Sequence, residues 1–157
     1  MIFVTGDTHG LQDFYKLHIF AGEHPELTKE DFVIIAGDFG GATSIDKFMR
    51  REGISWWKQE VPSFEELDEG FANLKRYNNK VDYIITHSCG QRALTYPQIR
   101  IYAGVKTTCP ESHLLSNFED RVTFKHWFFG HFHIDAELGG KYTALINKIV
   151  RIDEYED

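Results

Sequence analysis

Apolar positions along the chain follow two rhythms. Short runs rich in β-branched and aromatic residues, Ile2 to Thr5, Phe32 to Ala36, Tyr83 to Ile85 and Val122 to Phe129, read as strands. Elsewhere the apolar residues recur every three or four positions. Leu11, Phe14, Tyr15 and Ile19 predict a helix from Leu11 to Gly22, and Phe64, Leu67, Phe71 and Leu74 predict one face of a second helix reaching about Asn79. Ser63 and Glu66 have the spacing of a capping box at its start. A shorter helix is expected around Ser112 to Phe118, and Tyr142 to Ile146 with Ile149 to Ile152 predict a terminal hairpin turning at Asn147-Lys148. Strands alternating with helices define an α/β layer architecture. Residues 41–62, with Trp56-Trp57 among them, are the least legible stretch.

Composition narrows the picture. The chain has 157 residues, 42% of them hydrophobic, enough for one sizeable core, and no Pro/Gly/Ser-rich linker divides it, so a single domain over 1–157 is expected. Met1 runs straight into a strand without a charged, then apolar, leader, and no apolar run is long enough for a bilayer, so the expected location is the cytoplasm and no membrane is involved. Cys89 and Cys109 are too few for a disulfide framework and are read as structural thiols. A net charge of −7 opposes a broad footprint on duplex nucleic acid and favours a small phosphorylated substrate, for which bound cations can create a local positive pocket.

The candidate chemistry sits directly behind the strands. Asp7-Thr8-His9, Gly37-Asp38, Thr86-His87 and Gly130-His131-Phe132-His133 each follow an apolar run, and the carboxyl ends of strands in an α/β sheet share one edge. Each segment alone has an ordinary reading: Asp7 as a helix N-cap, Gly37-Asp38 as a turn, His87 as a structural histidine. Together they bring two carboxylates and four imidazoles to one crevice. His131 and His133 are two apart, so on an extended segment both would face the same side. Mixed carboxylate and imidazole ligation suits Mn, Fe or Zn rather than Ca or a thiolate-seeking ion.

In order and residue type these segments resemble the signature of the calcineurin-like metallophosphoesterases: D-x-H, G-D, G-N-H, a lone His after a strand, then G-H-x-H. "DYIITH" (Asp82 to His87), "HWFFGHFHID" (His126 to Asp135) and "SIDKFMRREGISWW" followed by an acidic helix extend the likeness beyond the motifs. One block is absent, because no Asn-His dipeptide lies between Asp38 and His87. The resemblance thus implies a shortened member lacking a central piece, with a reduced, layered β sandwich flanked by helices. It implies a first metal held by Asp7, His9, Asp38 and His133 and a second held by Asp38 as bridge, His87 and His131. The cofactors would be two divalent transition metals, Mn first, with Fe, Zn or Ni as alternatives.

The implied activity is metal-dependent phosphoester hydrolysis by a metal-bound hydroxide, on diesters rather than monoesters, with Asp38, His87 and His131 at the catalytic centre. The family's missing His would lie near the scissile phosphate, where acid catalysis is worth on the order of 10²–10⁴. His126 lies roughly 16 Å before His131 along a strand and is a poor replacement, which leaves His113 open. His18 and His24 read as solvated helix-end residues, and Asn78 and Asn79 as loop residues at the wrong sheet edge. The alternative reading is a metal-binding pseudoenzyme that recognises a phosphorylated ligand or partner. Trp56-Trp57 could stack a nucleobase, cover a sheet edge or join a homodimer, and Arg50-Arg51 and Arg92 fit a solvated face.

Overall fold

The computed structural model describes residues 1–9, 13–37, 51–54, 62–102 and 110–155. The architecture is mixed α/β with two sheets. In the first, β1 (Ile2–Thr5) lies between β2 (Phe32–Ile35), which runs parallel to it, and β7 (Ile149–Arg151), which runs antiparallel. In the second, β3 (Tyr83–Thr86), β4 (His126–Phe129) and β6 (Tyr142–Ala144) are parallel neighbours, and β5 (Ala136–Leu138) closes the far side antiparallel to β6.

β4 organises the core. All four of its residues are buried, as expected of a strand covered on both faces, and its near-continuous apolar sequence reflects that. Trp127 and Phe129 join one cluster with Cys89, Leu94, Ile99, Phe132 and Leu138. Phe128 points the other way and packs with Val4 of β1, Ala36, Leu145 and Ile152, tying the two sheets together. Two polar groups are accommodated in pairs: the Trp127 indole N–H donates to Thr86 Oγ1 at 2.8 Å, and His126 Nε2 meets Thr143 Oγ1 at 2.8 Å.

Five α-helices, α1 (Tyr15–Glu23), α2 (Phe64–Arg76), α3 (Gln91–Leu94), α4 (Pro97–Tyr102) and α5 (Pro110–Arg121), and a closing 3₁₀ helix (Ile152–Tyr155) complete the described chain. α2 opens on the expected capping box, with Ser63 accepting from the Glu66 N–H and Glu66 from the Ser63 N–H. It closes on Asn78 and Asn79, both left-handed (φ 56° and 53°), whose N–H groups return to Lys75 and Leu74. α5 extends beyond the expected helix at both ends, while α3 and α4 carry too few residues to show a helical face in the sequence.

The expected terminal hairpin is not formed. β6 and β7 belong to different sheets, because β7 supplies the second partner that β1 needs while β6 extends the sheet of β4. The hairpin lies one turn earlier, between β5 and β6. Gly139 and Gly140 both have positive φ there (60° and 70°), in a three-residue loop closed by the Lys141 N–H on the Leu138 carbonyl at 3.3 Å, a backbone that glycine adopts without a Cβ penalty.

Candidate metal centre

The parallel pairing of β1 with β2 and of β3 with β4 points their carboxyl ends the same way within each sheet, and the segments beyond these ends converge. Beyond β1 the chain passes close beneath the β6–β7 connection. A Cβ at Gly6 would lie 1.8 Å from the Leu145 carbonyl oxygen, so no side chain fits there. Asp7 follows, fully buried. Its carboxylate is wedged against two more glycines: a Cβ at Gly37 would fall 1.8 Å, and one at Gly130 2.7 Å, from Asp7 Oδ1. Gly37 is therefore required by close approach to the carboxylate, and its φ is not positive. The His131 N–H donates to Asp7 Oδ2 at 2.8 Å.

Around this carboxylate the imidazoles form two pairs. His9 Nε2 and His133 Nε2 are 3.0 Å apart, and His133 Nε2 is 3.5 Å from Asp7 Oδ2. One ligand atom from each of Asp7, His9 and His133 lies within 4.8 Å of the other two. His131 Nδ1 and His87 Nε2 are 2.9 Å apart, and His87 Nδ1 lies 3.7 Å from Asp7 Oδ1. That nitrogen is buried with no hydrogen-bond partner among the described residues.

These positions fit a cation. Metal–ligand bonds of about 2.0–2.2 Å with tetrahedral or octahedral angles put neighbouring ligand atoms about 3.0–3.6 Å apart, close to the spacing of His9, His133 and Asp7. Asp7, His9 and His133 thus form a group that could hold a metal ion.

The route by which His131 and His133 reach the centre differs from expectation. Neither is extended. Both are left-handed (φ 68° and 52°), as is His9 (φ 42°), and the Phe132 N–H turns back onto the Gly130 carbonyl at 2.8 Å. The segment is a tight turn, which sends His133 to His9 and His131 to His87 while Phe132 drops into the core. Non-glycine residues adopt this backbone at a cost, and such residues cluster at functional sites.

Outer contacts hold the ligand-bearing segments. Asp13 accepts from His9 Nδ1. Lys16 donates to the carbonyls of Gly6 (3.1 Å), Asp7 (2.7 Å) and Ile146. Burial pushes the Lys16 ammonium below its usual pKa, partly offset by Asp7, Asp13 and Asp135. Asp135, two residues beyond His133, accepts from the N–H groups of Ile146 (2.8 Å), Asn147 (3.1 Å) and Lys148 (3.0 Å). The loop carrying His87 is held by α5, whose Ser116 and Glu119 accept from the N–H groups of Gln91 and Arg92. Asp13 and Lys16 carry no motif, and Asp135 closes the segment that begins at His126 without having been a candidate itself. The only sequence hint is the four-residue spacing from His9 to Asp13.

Of the six candidate ligands, Asp7, His9, His87, His131 and His133 are brought together, and Asp38 lies outside the described residues. Trp56, Trp57, Arg50 and Cys109 lie outside them too. His126 is buried against Thr143 and Tyr155 in the core, where desolvation pulls its pKa down to about 4. His113 is exposed and bonded to the Gln91 amide at 3.0 Å, His18 is exposed, and His24 pairs with Glu26. Asn73 is exposed on α2, and Arg92 pairs with Asp120 on the surface. Cys89 is fully buried in the core.

Fold and site together define a mixed α/β protein carrying an Asp/His group of metal-ligand composition. Compared with protein-family models, with curated proteins and with solved structures, the chain finds no match. No helix among the described residues is long and apolar enough to cross a membrane.

Proposed function

We propose that the protein is a metal-dependent phosphoester hydrolase acting on small phosphodiesters. The observation that carries this reading is the convergence of Asp7, His9 and His133 beyond the strand ends, with His87 and His131 adjoining the same buried carboxylate. Asp7, His9 and His133 would hold the first ion. His87 and His131 would hold the second, with Asp38 as the shared carboxylate that the motif order assigns. Divalent ions bound there would supply Lewis acidity toward a phosphoryl oxygen and acidify water at neutral pH. The residues themselves orient those ions, and Asp7, fixed by the His131 N–H and by Gly37 and Gly130, gives the cluster an anchor that does not reorganise.

A second reading has its own support. The described histidines outside the cluster are His18, His24, His113 and His126, and His24, His113 and His126 are bonded elsewhere while His18 is exposed on α1. None of them is a positioned acid for a leaving group, which suits a protein that binds a phosphorylated ligand without turnover. Hydrolysis of aryl phosphodiesters and monoesters across Mn²⁺, Zn²⁺, Ni²⁺ and Mg²⁺, with retained metal measured on the same samples, separates the two. The enzyme reading expects about two ions per chain and diester hydrolysis that disappears in Asp38→Ala. Metal retention without turnover of any ester would establish the second reading, and a chain that retains no ion would exclude both.

A further inference from the structure

His9 is held at both ends of its ring. Nε2 faces His133 Nε2 at 3.0 Å, in the cluster, while Nδ1 meets the Asp13 carboxylate. A carboxylate only accepts, so the Asp13 contact places the proton on Nδ1 and leaves the Nε2 lone pair for the cluster. Asp13 is itself fixed, since its N–H donates to the Thr8 carbonyl at 3.1 Å and its own carbonyl accepts from Lys16 N–H at 3.3 Å. Imidazoles that bind metals commonly donate their other ring N–H to such a partner, which sets tautomer and ring orientation. The Asp13 side chain is 41% exposed and borders a cavity of about 550 Å³ beside α1, so truncating it removes no core packing.

We propose that Asp13 is the positioning residue of the first metal site, holding the His9 ring with Nε2 turned to the ion. The proposal rests on the metal reading of the cluster and adds a residue that the motif pattern does not contain. Asp13 touches neither ion nor substrate; it acts through His9.

The test compares wild type, Asp13→Ala and Asp13→Asn. Mn²⁺ affinity is measured by titration, and the tautomer of His9 by long-range ¹H–¹⁵N spectra of the metal-free proteins at a pH where imidazoles are neutral. Asp13→Ala should weaken Mn²⁺ binding about 10- to 100-fold, the usual cost of losing such a partner, while the metal-free thermal midpoint stays near that of wild type. Asp13→Asn, whose amide oxygen still accepts, should fall between the two. In the metal-free spectra His9 should be Nδ1-protonated in wild type and shift toward a tautomer mixture in Asp13→Ala. Mn²⁺ affinity within twofold of wild type in Asp13→Ala would overturn the positioning role and leave the metal reading standing. If wild type takes up none of Mn²⁺, Zn²⁺, Ni²⁺ and Mg²⁺, the metal reading falls. In that case the spectra still decide whether Asp13 sets the ring, since identical His9 signals in wild type and Asp13→Ala would overturn that too.

Discussion

β4 is buried along its whole length, while β2, in the other sheet, leaves Phe32 60% exposed and Val33 and Ile34 more than a third exposed, and α1, beside it in sequence, buries none of its residues. Both sheets supply candidate ligands to one cluster. His87, His131 and His133 come from the end of the densely packed sheet, and Asp7 and His9 from the lightly packed one. The light half compensates by polar clamping: Lys16, Asp135 and the Thr5 hydroxyl, which donates to the Lys148 carbonyl at 2.9 Å, hold β1 and the β6–β7 connection in place. Precision at a site can therefore come from a few part-buried hydrogen bonds where apolar area is scarce.

This contrast makes the sheet of β4 the principal source of stability. Its strongest test is Trp127→Ala, which empties the centre of that sheet and removes the indole N–H that donates to Thr86 Oγ1. Denaturant unfolding should show a loss of about 3–5 kcal/mol, and a loss under about 1 kcal/mol would mean the dense half does not carry the fold.

The next largest effect comes from acid. His126 is buried with a folded pKa of about 4, below the 6.5 of an ordinary imidazole, so the unfolded chain takes up its proton first as pH falls. Its contribution is thus complete above pH 6.5 and is lost progressively toward pH 4, up to about 3 kcal/mol if the whole shift is realised. Chemical denaturation across that window should show the slope in wild type and flatten it in His126→Gln; an equal slope in both proteins places the acid sensitivity elsewhere.

Smaller effects sharpen the boundary between the halves. Ser63→Ala removes one half of the capping box of α2 and should cost about 1 kcal/mol, read as a shift in the unfolding midpoint without a change in steepness. Phe32→Lys, on the exposed face of β2, should change stability by no more than about 0.5 kcal/mol. A substantially larger loss, or one that depends on protein concentration, would indicate that this face is covered in solution, as a homodimer would cover it.

Legibility of the sequence followed the strength of local signals. β1 and β3 stood out because a strand of apolar residues runs directly into a polar, ligand-type residue, and α2 because its apolar spacing and capping box agree. The partner of β7 could not be read locally. Ile149–Arg151 pairs with β1, almost the whole chain away, and three-residue strands are too short to reveal which face they bury. Motif order named all six candidate ligands, five of which lie together in the structure while Asp38 falls outside the described residues, but the left-handed turn that aims His131 and His133 was not legible, since nothing in Gly-His-Phe-His specifies backbone handedness. Asp13 was invisible for a different reason: its role is created by the ring it touches, not by any pattern of its own.

The three left-handed histidines put folding and function in opposition. For an L-residue this backbone costs about 1–2 kcal/mol, a penalty that glycine escapes. His131→Gly keeps the turn, relieves the strain and deletes a candidate ligand in a single change. In the absence of metal such a chain should melt at a higher temperature than wild type. Under mutation with no demand for the site, stability alone would thus drive these positions toward glycine or asparagine, and the Asp/His group of metal-ligand composition would be lost first, with the fold left intact.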